Sequence, residues 1–312
     1  MSLLLLAGPS NIPLSLGIAA VLGVEPAPCE VTKFPDGELH VSIGESVRGG
    51  DVYLVQSSSP PVDTHLMQLL LLADACRRAG AARLTAVMPY FGYSRQDRRA
   101  SGREPIGARL VADLLAAAGL TRVVAVDLHS SALEGIFSLP LEHVTAVPLL
   151  AEAAGAALLA NAVIVSPDLG ATKLAARYAR ILNRPVAFVH KQRLSGSSVA
   201  VRGITGEVRG LAPLIVDDMI STGGTIEGAV QALLAAGATS EVVVIATHGL
   251  LVGDALGRLA ALPLREVIVS DSVASNSSSP LRLHRVSIAP LLADVIRRLH
   301  EDRSLSDLIV HA

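Results

Sequence analysis

Short runs of β-branched and aliphatic residues recur along the chain, each closed by a small or polar turn and followed by a stretch of helix length. The runs are Leu3–Ala7, Val52–Gln56, Leu84–Pro89 and Val123–Asp127, then Val163–Ser166, Leu214–Asp217, Val242–Ala246 and Val267–Ser270. Apart from Thr85 and a polar last residue in several of them, they are apolar and do not alternate, which is the pattern of parallel strands covered on both faces. Between them, His65–Arg78 is Leu-rich and stops at Gly80, and Pro105 stands at the first turn of a helix over Ile106–Ala118 that Gly119 closes. Further helices are predicted from Thr225 to about Ala236 and, with an amphipathic pattern, over Ile288–His300. The Ser-rich stretch Ser272–Ser279 reads as a loop.

Eight strands in one open sheet would be unusual at this length, and two α/β units in tandem are simpler. The expected division is 1–147 and 148–285, with 286–312 returning to the first unit. In sheets of this kind ligands gather at the carboxyl ends of the strands. The residues expected just past those ends are Gln56-Ser57-Ser58, Pro89-Tyr90-Phe91, Asp127-Leu128-His129, Pro167-Asp168-Leu169-Gly170, Asp217-Asp218 and Thr247-His248-Gly249.

Composition narrows the classes. The 312 residues are 51% hydrophobic and only 3% aromatic, so the cores are packed with Ala, Leu, Val and Ile. Charged residues are 17%, against about 25% in ordinary soluble chains, which points to surface buried between subunits. A net charge of -2 lacks the basic excess of a general nucleic-acid binder, so an anionic ligand needs a local cluster of positive charge. Mean hydropathy is +0.50. Yet the longest uncharged run, residues 1–24, is broken by Gly8, Pro9, Ser10, Asn11 and Pro13 short of a membrane span, and no basic residue precedes it as in a signal peptide. Cys29 and Cys76 form no disulfide framework or metal-ligand spacing. A cytoplasmic protein is expected.

Two segments carry chemistry on their own residues. In LIVDDMISTGGT at 214–225, a strand delivers Asp217 and Asp218, and a small-residue turn, Ser221-Thr222-Gly223-Gly224-Thr225, runs into a helix start. Backbone N–H groups and hydroxyls there can cradle a phosphate, with the two carboxylates one sugar-length away for ribose hydroxyls. A capped turn with solvated acids would give the same local pattern. In the other segment, PYFGYSRQDRR at 89–99, three of the chain's eight aromatics stand beside arginines, four of which fall within 95–103. That suits an anionic, purine-bearing ligand, although a solvated basic turn is the commoner fate of such a run. FPDGE at 34–38 is by itself a plausible β-turn.

Taken in order, FPDGE at 34–38, GESVRGGDVYLVQS at 44–57, YSRQDRR at 93–99, REPIGARLVADLL at 103–115, VDLHS at 126–130, SPDLG at 166–170, HKQR at 190–193 and VDDMISTGGT at 216–225 resemble ribose-phosphate diphosphokinases, the phosphoribosyl-pyrophosphate synthetases of the widespread ATP-using class. The resemblance runs from about Leu5 to Leu308. It implies two tandem phosphoribosyltransferase-type α/β domains, each a mainly parallel sheet flanked by helices. The reaction implied is transfer of the diphosphoryl group of ATP to ribose 5-phosphate, in a homo-oligomer, by resemblance a hexamer.

By the same resemblance Phe34, Asp36, Gly37 and Glu38 hold adenine from a neighbouring subunit, and Arg95, Gln96 and Asp97 lie at ATP in that pocket. His129 and Asp168 bind or orient Mg²⁺. Alone, His129 reads as a satisfied strand-end histidine and Asp168 as a helix cap. Asp217, Asp218 and Ser221–Thr225 bind ribose 5-phosphate, with Arg193. Lys191 and Arg193 match the catalytic pair of a mobile loop, and the Ser/Gly-rich stretch Ser195–Ser198 fits a segment that moves. A non-catalytic regulatory homologue and a base-transferring phosphoribosyltransferase are the alternatives; the presence of both Lys191 and Arg193 weighs against the first.

The chain departs from the family pattern in places. Gln192 replaces a charged residue between the catalytic pair. Ala171 replaces a glycine, which is tolerable at negative φ. Over 133–143, Glu134, Ser138, Glu142 and His143 stand where the family usually has Gln, Asp, Asp and Asn. With Ser46, Arg48, Arg103, Ser304 and Ser306 this segment corresponds to a phosphate/ADP regulatory site. A carboxylate at Glu134 is expected to repel phosphate there and weaken ADP inhibition.

Overall fold

The computed structural model describes residues 1–193, 199–274 and 281–310, with backbone alone at 191–193 and 199–202. The Ser195–Ser198 stretch and most of the Ser272–Ser279 loop lie outside the described residues. In chain order the elements of the first part are β1 (Leu3–Ala7), α1 (Ile12–Leu22), β2 (Cys29–Lys33), β3 (Leu39–Ile43), β4 (Asp51–Val55), α2 (Val62–Arg78), β5 (Arg83–Met88), α3 (Gly107–Ala117), β6 (Arg122–Val126) and β7 (Leu141–Val144). There follow α4 (Val147–Ala157), β8 (Ala162–Ser166), α5 (Thr172–Leu182), β9 (Val186–Arg193), β10 (Val199–Thr205), β11 (Ala212–Ile220), α6 (Gly224–Ala235), β12 (Val242–Gly249), α7 (Ala255–Ala260), β13 (Leu264–Ser270), β14 (Leu283–Val286) and α8 (Ala289–His300). Two compact units result. One holds Met1–Thr145, Ser272–Ala274 and the residues from Ser287 onward; the other holds Ala146–Asp271 and a short stretch ending at Val286.

The first unit is built on a five-stranded sheet in the order β1-β4-β5-β6-β7. All its pairings are parallel. The apolar runs are buried because helices cover them: Leu66, Leu69, Leu72, Ala73 and Cys76 form one face of α2 and pack with Leu54, Ala86, Met88 and Val123. Asp63 in the first turn and Arg77 and Arg78 in the last complement the α2 dipole. α8 returns to pack on α1. Its end is tied to the sheet where buried Asp51 accepts hydrogen bonds from Tyr53, Arg83 and the His300 ring. Strands β2 and β3 form an antiparallel hairpin that is a sheet of its own.

The second unit carries a seven-stranded sheet, β10-β9-β8-β11-β12-β13-β14, parallel except where β10 runs back along β9. Its core gathers Val163, Val165, Ile215, Val244 and Val267 with Val230 and Leu233 of α6. The chain builds outward from β8 to β9 on one side, then resumes at β11 on the other. The switch in strand order therefore falls between β8 and β11, where parallel sheets open a ligand crevice.

Each of the eight apolar runs forms a strand, with Gln56, Pro89 and Asp127 falling one residue past the strand ends. The hairpin, β7, β9, β10 and β14 are additions, mostly short or polar edge strands. Two expectations are corrected. Asp217 and Asp218 do not follow β11 but lie within it. β11 pairs with β8 only over Ala212–Ile215, yet it stays paired with β12 as far as Ile220. Thr247-His248-Gly249 likewise belong to β12.

Candidate active site

Beyond Ile215, β8 has turned away while β11 continues, so Asp217 and Asp218 stand where the two strands part. The Asp218 N–H donates to Asp217 Oδ1 at 3.0 Å. Burial pushes the Asp217 carboxyl well above the usual carboxylate range, and the negative charges of Asp218 and then Asp168 add to that. The charges of Asp218 and Asp168 are thus both felt by Asp217 at the switch point of this unit.

Asp168 follows β8, and its Oδ1 accepts from the N–H groups of Gly170 and Ala171 at 2.9 and 3.3 Å. It closes the turn that leads into α5, whose cap residue is Ala171. The φ of Ala171 is -85°, so alanine fits where the family pattern has glycine.

After β11 the chain turns through Ser221–Gly223 into α6. Gly223 caps the helix at φ 79°, a conformation that favours glycine. Gly224 is different. Its φ is ordinary, and a Cβ added there meets nothing within 4 Å. Packing does not demand a glycine at 224; an approaching ligand would. Behind the turn, the N–H groups of Leu251 and Val252 bond the carbonyls of Ile220 and Ser221 at 3.0 Å each and hold its path.

The first unit presents its candidates on separate features. Phe34–Glu38 is the tip of the β2–β3 hairpin, a turn closed by Gly37 N–H to the Phe34 carbonyl at 2.9 Å and by Glu38 N–H to Asp36 Oδ1 at 3.1 Å. Phe34 is 50% exposed, with His40 edge-on to its ring at 5.5 Å. Arg95, Gln96 and Asp97 lie after β5, in a segment anchored by buried Tyr90, Phe91 and Ser94. Sequence reasoning missed the brace here. Tyr93, at φ 65°, donates its hydroxyl to Asp63 at 2.6 Å, and the Gly92 N–H donates to Ser58 Oγ at 2.6 Å. The Glu104 carboxylate accepts from Ala100 N–H, Ser101 N–H and the Ser101 hydroxyl, which hold it below the usual carboxylate range. The basic segment is a loop braced by hydrogen bonds, with Arg95 exposed at its surface.

His129 is exposed just past β6. Glu134 and His143 are bonded to each other. Lys191 and Arg193 occupy β9, opposite Val201 and Val199 of β10, with Gln192 between them.

Among the described residues no three His, Cys, Asp or Glu side chains gather as a metal cage. Of the two expected metal residues Asp168 is the oxygen donor, its Oδ1 held by the Gly170 and Ala171 N–H groups, and a hard divalent ion that keeps several waters needs only one or two such carboxylates.

Residues 3–119 match the N-terminal domain of ribose phosphate pyrophosphokinase, and residues 200–310 match the phosphoribosyl synthetase-associated domain. The ribose-phosphate pyrophosphokinase of Caldanaerobacter subterraneus subsp. tengcongensis is 44% identical over 309 residues, covering 98% of each chain. The chain belongs to the ribose-phosphate pyrophosphokinase family. The Bacillus subtilis family member is 42% identical over 300 residues, 96% of this chain and 94% of its own. The crystal structure of phosphoribosylpyrophosphate synthetase from Mycobacterium smegmatis aligns with a TM-score of 0.90 at 41% identity, covering 97% of this chain and all of that one. The α/β class with mainly parallel, helix-flanked sheets is shared with this family.

Proposed function

We propose that the protein performs the family's reaction, converting ribose 5-phosphate and ATP to phosphoribosyl pyrophosphate and AMP. The anomeric hydroxyl attacks the β-phosphorus of ATP, the bond from that phosphorus to the α-phosphate oxygen breaks, and AMP leaves. The carrying observation is the switch point between β8 and β11, where a glycine that the fold does not require opens a helix beside paired carboxylates. The Ser221–Thr225 turn takes the 5-phosphate on its N–H groups and hydroxyls. Asp217 and Asp218 accept from ribose hydroxyls. Arg95, Gln96 and Asp97 serve ATP, and Phe34, Asp36, Gly37 and Glu38 supply the adenine contacts of a neighbouring copy. His129 and Asp168 would hold Mg²⁺, which when bound neutralises charge on the transferring group. Lys191 and Arg193 steady the pyrophosphoryl oxygens.

The decisive test is AMP release from ATP and ribose 5-phosphate with no base present. A base-dependent transferase gives none, and neither does a non-catalytic homologue.

This reading places the protein in the cytoplasm with its substrates; both cysteines are free thiols, and no helix among the described residues is long and apolar enough to cross a membrane. Its assembly is a homo-oligomer, a hexamer by family resemblance. Half-exposed Phe34 supports this, as do Ile106, Leu110 and Leu114, spaced four apart at the start and along α3 and 37%, 59% and 39% exposed. Light scattering during assay is expected to find activity only in the assembled form; a fully active monomer would remove the shared adenine pocket.

Asp217 gives a further prediction. A carboxyl raised by folding favours the fold while protonated in both states, and that contribution is lost as pH climbs from the unfolded value through the raised one. Asp217→Asn is therefore expected to raise the melting temperature of the ligand-free protein at pH 7–8 by ~2–4 °C, the shift worth ~1 kcal/mol in a unit of this size. At acid pH it brings no gain. Ribose 5-phosphate affinity falls by about tenfold, the loss of one hydrogen bond to a charged acceptor. Scanning calorimetry and ligand titration read the two effects separately.

A further inference from the structure

Strand β6 ends at Val126, and the chain leaves the sheet through Asp127 at φ 37°, a left-handed conformation unusual for a residue with a side chain. The Asp127 N–H still pairs with the Val144 carbonyl of β7 at 3.0 Å. The next N–H, of Leu128, has no strand left to pair with. It donates at 2.9 Å to Nε2 of His143, a side chain on β7 that is 6% exposed. Because Nε2 accepts, the ring proton sits on Nδ1, and Nδ1 donates to Glu134 Oε1 at 2.8 Å. Glu134 lies on the short 3-10 turn Ser131–Gly135.

One imidazole therefore pins both ends of a loop: Leu128 on one side, Glu134 on the other. His129 is carried between them. The strand itself is fixed, since the His143 carbonyl accepts from Val310 N–H at 2.8 Å and the Thr145 N–H donates to the Leu308 carbonyl at 3.0 Å.

We propose that His143 and Glu134 are positioning residues for the Asp127–His129 turn, and through it for the Mg²⁺·ATP that His129 serves. The proposal rests on the functional reading above for the ligand, but the hydrogen-bond chain stands without it. Glu134 fixes the tautomer; the tautomer fixes the Leu128 amide; the amide fixes where His129 begins. The Glu134 carboxylate, about half exposed, keeps its charge while it accepts from the ring.

The test uses the full-length assembled protein labelled with ¹⁵N-histidine. In the wild type the His143 ring is expected to be protonated on Nδ1. Glu134→Gln, whose amide oxygen still accepts, retains that tautomer. Glu134→Ala releases it toward Nε2–H, which would meet the Leu128 N–H donor to donor. In calorimetric titration Glu134→Ala then binds Mg²⁺·ATP at least about tenfold more weakly, as loss of an outer-shell partner does. Ribose 5-phosphate affinity stays within twofold, and Glu134→Gln stays within twofold for both ligands. A purely structural role would weaken both ligands together. Wild-type His143 protonated on Nε2, or Glu134→Ala binding Mg²⁺·ATP as the wild type does, overturns the proposal. If the wild type itself binds no Mg²⁺·ATP, the functional reading fails and the positioning role with it, while the tautomer measurement still decides whether the clamp exists.

Discussion

Lys191→Ala and Arg193→Ala are each expected to lower kcat by ~10²–10³ or more, the usual cost of removing a charged donor aimed at a transition state. The reaction redistributes negative charge over the oxygens of the β-phosphorus as it changes partners, and little else in the step needs a protein group. Both positions lie in β9, two apart, which is the spacing at which an extended chain repeats a face. Contacts made mainly as the phosphoryl group transfers appear in kcat more than in binding. ATP affinity is therefore expected to stay within several-fold of wild type, and Gln192→Ala to be nearly silent. Steady-state kinetics with nucleotide titration separates these outcomes. Near-normal kcat in Lys191→Ala would remove the pair from the chemistry.

The parts of the fold legible in the sequence are those set by local pattern. Leu3–Ala7 and Val163–Val165 are short unbroken apolar runs bounded by turn residues, the pattern in which a covered parallel strand is read. The polar edges were not legible. β14 holds exposed His284 and Arg285 because an edge strand has one side free for charge, whereas β7 holds a buried His143 whose ring is taken up by Leu128 and Glu134. The end of β11 was misplaced because two adjacent aspartates suggest a turn; pairing with β12 carries the strand through them. At the site, the Ser221–Thr225 cradle is written in consecutive residues and could be read directly. The braces that hold the other loops join residues far apart in sequence, Tyr93 to Asp63 and His143 to Leu128, and each member alone is an ordinary polar residue.

Gly224→Val is expected to abolish most ribose 5-phosphate binding without weakening the fold. The two glycines before Thr225 look equivalent in sequence, but the structure separates them. Gly223 sits at φ 79°, so Gly223→Ala forces a left-handed alanine at a cost of ~1–2 kcal/mol and lowers the melting temperature. At Gly224 an added Cβ meets nothing within 4 Å and the φ is ordinary, so a side chain there starts into open space and needs no left-handed backbone. The room is the space the 5-phosphate would use to reach the N–H groups at the α6 start. Losing two hydrogen bonds to a charged group, each worth ~1.5–3 kcal/mol, predicts a decline in ribose 5-phosphate affinity of roughly 100-fold or more. ATP binding stays within several-fold, because the ATP residues of this reading lie in the other unit. Paired melting and calorimetric titration of the two variants therefore give opposite signatures: a stability loss at 223 and a binding loss at 224. Normal ribose 5-phosphate affinity in a folded Gly224→Val protein would remove the phosphate from this helix start, and with it the assignment of Asp217 and Asp218 to the ribose.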